Sequence, residues 1–226
     1  MNKTVIRKAF LDTVPVMTGY VFLGFGFGIL MERNGFGWLW AGAMSLFIYA
    51  GSMQYVAINL LTSGAGVLTA ALTAFVVNAR HLFYGISMVD AYKGAGKKKP
   101  YLIFALTDET YSLVSQQQRC DHGYCFLVSL FDHMYWVVGT ILGSLAGSVL
   151  PINFEGVDFA LTALFVTIFV EQWLSTKEHG PAVIGVLSTL ACLLIFGSEV
   201  FLIPSMILIA ALLILMGKRK KEGAYV

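Results

Sequence analysis

Apolar residues occur along this chain in long blocks separated by brief polar or glycine-bearing breaks, without the sustained alternation of a strand. The blocks run from about Thr13 to Met31, Trp38 to Leu61, Gly66 to Val89, Tyr101 to Val114, Tyr124 to Leu150, Val157 to Trp173, Ala182 to Phe196, and Val200 to Met216. Several approach the roughly 20 residues needed to cross about 30 Å of hydrocarbon. The breaks carry Asn34-Gly35, Ser63-Gly64, Pro151 and Gly180-Pro181, residues that end helices and turn the chain sharply. The pattern predicts an all-α, polytopic membrane bundle of about 7 segments (6 to 8), forming a single membrane domain over residues 1–226.

Composition agrees, since 58% of the residues are apolar and 12% charged, with mean hydropathy +0.76. A soluble domain carries about 25% charged residues. The net charge of +2 is too small to suggest nucleic-acid binding. Cys120, Cys125 and Cys192 have no partner cysteine or histidine pair at zinc-ligand spacing and read as structural, so no metal or cofactor is expected. Lys3, Arg7 and Lys8 precede the first apolar block, but Asp12 and Pro15 interrupt what would be a signal-peptide core. An uncleaved first membrane helix is expected.

The basic residues also bear on topology. Beyond the N-terminal cluster, Lys93, Lys97, Lys98 and Lys99 occupy the loop at 93–100, and Lys218, Arg219, Lys220 and Lys221 the C-terminal tail. All three clusters are expected in the cytoplasm. An even number of crossings must then separate the first two, whereas the apolar blocks between them number three. Either the block containing Asn78-Ala79-Arg80-His81 folds back as two half-helices, or it is a continuous helix that disobeys the charge rule.

An internal echo adds to the picture. Phe10-Leu11-Asp12 with Gly19 resembles Leu130-Phe131-Asp132 with Gly139; Leu46-Phe47-Ile48 with Gln54-Tyr55 resembles Leu164-Phe165-Val166 with Gln172-Trp173; and Ser87-Met88 resembles Ser205-Met206. Three ordered matches at nearly one offset suggest repeat halves, 10–90 and 130–217, joined by the basic loop, and such duplication in a membrane chain points to transport. Parallel and inverted halves both remain open.

Polar groups inside apolar blocks cost at least about 2.5–3.5 kcal/mol each for a charged side chain and so need a reason. Asn78, Arg80 and His81 lie in the third block, and Asp108 and Glu109 in the fourth, flanked by Thr107, Thr110 and Tyr111. A carboxylate there can neutralise Arg80 as a static ion pair or exchange a proton during transport. Asp132 and His133 are adjacent and point about 100° apart on a helix, and Asp132 is expected to be the inward member. Glu171, Gln172 and Glu199 read as interfacial.

Tyr49-Ala50-Gly51-Ser52-Met53-Gln54 puts small and polar groups midway along the second block. Local unwinding there would offer Tyr49, Gly51, Ser52 and Gln54 to a zwitterionic substrate, while the alternative is a kink with Ser52 bonded to its own backbone. Gly24 and Gly28 form a stripe of small residues suited to close helix packing, and no strand precedes them to make a nucleotide-binding loop. Trp38, Trp40, Trp136 and Trp173 suit interfacial belts.

Tyr49-Ala50-Gly51-Ser52 with Gln54, Asn78-Ala79-Arg80-His81 with Phe83-Tyr84-Gly85, and Leu106-Thr107-Asp108-Glu109 together resemble the AzlC family, over nearly the whole chain. The resemblance implies the large subunit of a bacterial branched-chain amino-acid exporter in the inner membrane. It further implies valine, leucine, isoleucine and methionine as substrates and a small, separately encoded AzlD-type membrane subunit as partner. Under that reading the substrate carboxylate suits Arg80 or an open helix N-terminus, its ammonium suits Asp108, Glu109 or Asp132, and its side chain rests against Phe47, Phe83 and Leu106. No P-loop is present, so the expected mechanism is secondary transport driven by the proton motive force. Two rivals remain: a membrane-embedded enzyme using Ser52, His81 and Asp108 as nucleophile, base and orienting acid, and a non-transporting assembly or sensor subunit.

Overall fold

The computed structural model of the chain describes residues 3–115, 121–149, scattered positions between 159 and 174, 179–197 and 201–222. Among the described residues all regular structure is helical. The chain forms two compact units, Met1–Thr162 and Ala163–Val226. The first contains α1 (Lys3–Arg33), α2 (Gly37–Phe47), α3 (Gly51–Thr62), α4 (Val67–Val77), α5 (Ala79–Ser87), α6 (Lys99–Phe104), α7 (Asp108–Ser115) and α8 (His122–Val149). The second contains α9 (Gly180–Phe196) and α10 (Leu202–Glu222).

Two long helices frame the first unit. At 31 and 28 residues, α1 and α8 extend about 46 and 42 Å, enough to cross a bilayer. Pro15 lies inside α1, and Thr18 Oγ1 donates to the Pro15 carbonyl at 2.8 Å. The two helices run parallel. Near their starts Tyr124 Oη donates to Asp12 at 2.7 Å, and beyond their centres Ser144 Oγ donates to Glu32 at 2.8 Å.

Glycines on both sides make the approach possible. A Cβ on Gly24 would lie 2.9 Å from the Trp136 carbonyl oxygen, and one on Gly139 2.7 Å from that of Val21. At Gly28 and Gly143 an added Cβ would collide with the backbone of Thr140 and Phe25. Backbone thus rests on backbone, the arrangement that small residues spaced by four permit in membranes.

Between these helices the chain makes two hairpins of half-length helices and one bent helix pair. α2 descends along α8 from Gly42, beside Ile141, to Ser45, whose hydroxyl donates to Thr140 at 2.9 Å. The helix stops at Ile48-Tyr49-Ala50, where Tyr49 has φ 45°. α3 then climbs back, placing Tyr55 Oη 2.7 Å from the Leu23 carbonyl and its ring 5.6 Å from that of Phe27. From the opposite end, α6 rises past Phe126, 5.4 Å from the Tyr101 ring, to Phe104, which meets His133 edge-on at 5.8 Å. The chain turns at Ala105-Leu106-Thr107, and α7 returns to bury Val114 in a core with Ala9, Met88, Leu102 and Tyr124.

α4 and α5 meet at Asn78 with a bend of only 46°, so the chain continues in nearly one direction. At that block the helix is broken at Asn78 without reversing, so the two half-helices expected there are present but do not fold back on each other. The reversals occur in the Trp38–Leu61 block, at the Tyr49-Ala50 break where unwinding was expected, and in the Tyr101–Val114 block. The parity follows. Lys8, over the Tyr124 ring at 5.1 Å, and Lys98, over Phe126 at 5.6 Å, lie at the same end of the unit, with α1 and the α4–α5 pair between them.

In the second unit α9 ends at Gly197, with φ 77°, and α10 returns antiparallel, bringing the Met216 sulfur within 3.9 Å of where a Cβ on Gly180 would sit. Phe169, Trp173, Val183 and Leu187 line an apolar groove there. Glu171, Gln172, Glu199, Cys120 and the echo positions Leu164 and Phe165 lie outside the described residues. Trp173 is stacked on His179 at 4.1 Å.

Candidate functional site

Three helix interruptions of the first unit converge at mid-length of α1 and α8. Each contributes the start of a half-helix: Gly51 begins α3, Ala79 begins α5 and Asp108 begins α7. A helix start carries unpaired N–H groups and partial positive charge. On α7 that charge is met by Asp108 and Glu109 in its own first turn. On α3 and α5 no side chain caps the end.

Arg80, in the first turn of α5, ties the three starts together. Its guanidinium forms an ion pair with Asp108 at 2.8 Å and donates to Ser52 Oγ at 2.9 Å. The pair is about one-third exposed on the arginine side and 18% on the aspartate side. Asn78 Oδ1, buried at the same break, accepts no hydrogen bond among the described residues. Such a group needs a partner that the described residues do not supply.

The two acidic neighbours separate. Asp108 meets Arg80, whereas Glu109 accepts from Tyr20 Oη of α1 at 2.6 Å. Tyr20 Oη also lies 2.6 Å from Thr107 Oγ1, which is 3.0 Å from Thr110 Oγ1, which donates to Asp132 at 2.8 Å. Asp132 is fully buried, as expected for the inward residue, but His133 is buried too, at 3% exposure. They face different neighbours: His133 Nε2 must donate to the Ser45 carbonyl at 3.2 Å, and Nδ1 lies 3.0 Å from Tyr101 Oη, from which a neutral ring accepts.

The α2–α3 tip is anchored by polar contacts of its own. Gln54 is fully buried, accepting from Trp136 Nε1 at 2.9 Å and donating to Ser45 at 3.1 Å. Gly51 packs on the Trp136 ring, where a Cβ would lie 3.0 Å from the nearest ring carbon. Tyr49, in a backbone region unfavourable to non-glycine residues, lays its ring 4.1 Å from that of His133.

Several expectations are corrected by this geometry. Trp136 is no interfacial residue; it is buried at 3% exposure because its indole N–H has a partner in Gln54 deep in the unit. Phe47 and Phe83, expected beside a substrate, are 74% and 67% exposed, while Leu106 is buried. Ser52, His81 and Asp108 do not assemble as a triad: Ser52 accepts from Arg80, and His81 Nδ1 faces the Asn78 carbonyl of its own helix at 3.2 Å. Tyr20, Ser45, Thr140 and His133 were missed as site residues. Tyr20 was within reach, since it stands four residues before Gly24 and hence on the same helical stripe.

The model of the AzlC protein family matches residues 15–150, which contain every interruption just described. The chain belongs to the AzlC family. It is 44% identical, over 94% of its length and 85% of the relative's, to the branched-chain amino acid transport protein AzlC of Bacillus subtilis. An uncharacterized membrane protein of Helicobacter pylori shares 37% identity over 94% of this chain and 95% of its own. The inner membrane protein YgaZ of Escherichia coli shares 30% over 74% and 71%. No solved structure matches. This AzlC-family chain is accordingly an all-α membrane protein with interrupted helices.

Proposed function

We propose that this chain is the large subunit of a secondary exporter of branched-chain amino acids and methionine in the bacterial inner membrane, working with a small AzlD-type membrane subunit. The observation that carries the reading is the junction of Arg80, Asp108 and Ser52 at three helix interruptions. A zwitterion can enter there by exchanging one internal ion pair for two intermolecular ones, its carboxylate taking Arg80 and the open starts of α3 and α5, its ammonium taking Asp108. The Arg80–Asp108 pair then marks the empty site and opens with substrate, so binding and rearrangement are linked. The name of the Bacillus subtilis relative supports the substrate class.

Opposed hairpins support alternating access. The α2–α3 tip closes the junction toward one end of the unit and the α6–α7 tip toward the other, so small outward shifts of either open the site to one side. The N-terminal cluster and the loop at 93–100 face the cytoplasm in this reading, as does the C-terminal tail. α4 has no buried residue within this chain, which leaves room for the small subunit or lipid along it. The loosely assembled serine, histidine and aspartate give the enzyme reading no support.

The test is efflux of preloaded labelled leucine and valine from cells expressing the chain with and without an AzlD-type subunit, before and after collapse of the proton gradient. Rapid efflux requiring both is the expected result. Rates equal to empty cells would overturn the transport reading, and full efflux by the large subunit alone would overturn the two-component one.

A further inference from the structure

We infer that Glu109 and Asp132 share a single proton through Tyr20, Thr107 and Thr110, which form a proton relay across the core of the first unit. The five groups make a continuous chain of four links: Glu109 to Tyr20 at 2.6 Å, Tyr20 to Thr107 at 2.6 Å, Thr107 to Thr110 at 3.0 Å, and Thr110 to Asp132 at 2.8 Å. Each link needs one proton. Three hydroxyls supply three, and ionised carboxylates supply none. With both acids ionised one link is empty; with both neutral one proton is surplus. A single proton on either acid fills all four links.

The surroundings hold the chain to this count. Thr110 N–H points at Thr107 Oγ1 from 3.3 Å, so the threonine oxygen has a donor from the backbone and its own proton remains for the chain. Thr110 and Asp132 are fully buried, Tyr20 and Thr107 are 5% and 8% exposed, and Glu109 at the other end is half-buried. Asp132 Oδ1 has no hydrogen-bond partner among the described residues, an arrangement that suits a carboxyl which is neutral part of the time. Near Glu109 the charged groups are Asp108 and Arg80, and these are already paired at 2.8 Å. Around Asp132 stand Tyr49, Tyr101 and Tyr124, with His133 next to it in sequence.

Transfer follows from reversing the links. The Glu109 carboxyl passes its proton to Tyr20 Oη as the tyrosine passes its own to Thr107, Thr107 to Thr110, and Thr110 to Asp132. Four O–H bonds break and four form, one proton moves from Glu109 to Asp132, and nothing is oxidised or reduced. Tyr20, Thr107 and Thr110 each release one proton and take up another in that transfer. Its use in coupling rests on the transport reading, because Glu109 adjoins the Asp108 that would hold a substrate ammonium.

The experiment is infrared difference spectroscopy of the full chain in lipid nanodiscs, reading the carbonyl stretch of protonated carboxyls. Wild type minus E109Q and wild type minus D132N are each expected to show the same lost band, because either amide donates into the chain and leaves the remaining acid ionised. Thr107→Val is expected to lose it as well, although no carboxyl is removed: the severed halves, Tyr20 with Glu109 and Thr110 with Asp132, are each satisfied by ionised acids. Thr107→Ser keeps the band. Loss in only one carboxyl variant, persistence in Thr107→Val, or no protonated carboxyl in wild type would overturn the shared proton. The band is read without substrate or flux, so failed leucine efflux bears on the transport reading and leaves this one intact.

Discussion

The α1–α8 pair and the three interruptions beside it are made from similar residues but solve opposite problems. Along α1 and α8 glycine removes side chains so that two unbroken helices touch backbone to backbone, and no charge is needed between Gly24 and Gly143. At the interruptions the backbone itself is released, and charged or hydroxyl side chains take over from helix hydrogen bonds. Half-helices of 6 to 12 residues are marginal alone, so α3, α5 and α7 depend on Arg80, Asp108, Gln54 and Trp136 for their placement, and α6 on the contacts of Tyr101 and Phe104 with Phe126 and His133. A frame that cannot yield thus carries tips that can.

The largest effect should come from the frame. Gly28→Val or Gly143→Val drives a side chain into the facing backbone and is expected to cost at least about 3 kcal/mol of stability, read as loss of folded protein in thermal denaturation in detergent. Gly19→Ala, with nothing within 4 Å of the added Cβ, should be neutral or stabilising by up to about 1 kcal/mol. Equal behaviour of the two would end the close-packing account.

At the junction the expected effect falls on transport more than on folding. Arg80→Gln and Asp108→Asn each leave one charge without its partner, a penalty of about 3 kcal/mol when buried and less for this partly exposed pair. Each is expected to lower leucine efflux by at least about tenfold, equivalent to 1.4 kcal/mol. The double variant should be more stable than either single one, since no lone charge remains. Singles that are harmless, or a double worse than their sum, would show that the pair does not couple.

Smaller still is Trp136→Phe, which strands the buried Gln54 carbonyl and should cost about 1–3 kcal/mol, with restoration of part of it by Gln54→Leu in the same chain. Smallest is Phe47→Ala. At 74% exposure it should shift stability by no more than about 0.5 kcal/mol and leave the leucine KM unchanged; a changed KM would bring Phe47 back beside the substrate.

The difference between frame and tips also explains what was legible beforehand. Apolar blocks gave the all-α membrane class, Asn34-Gly35 and Ser63-Gly64 gave turns where Gly35 and Gly64 have φ 81° and 64°, and the cost of burying charge drew attention to Arg80 and Asp108. Direction was not legible. Lipid solvates a crossing and a hairpin of two half-helices alike, so the Tyr101–Val114 block reads as one segment although the chain reverses at Leu106. The site was partly legible for a related reason: charge in hydrocarbon stands out, but Tyr20 and His133 look like ordinary residues of apolar helices until their partners, about 90 positions away, are in place.

Parallel packing of α1 and α8 has a consequence for biogenesis. Contacts such as Tyr124 to Asp12 join residues 112 positions apart, and a ribosome adding about 5–20 residues per second needs on the order of ten seconds to make that length. During that interval α1 sits in the membrane with its glycine face uncovered. A temporary companion, whether lipid or an insertion factor, must shield that face and then leave it free for α8.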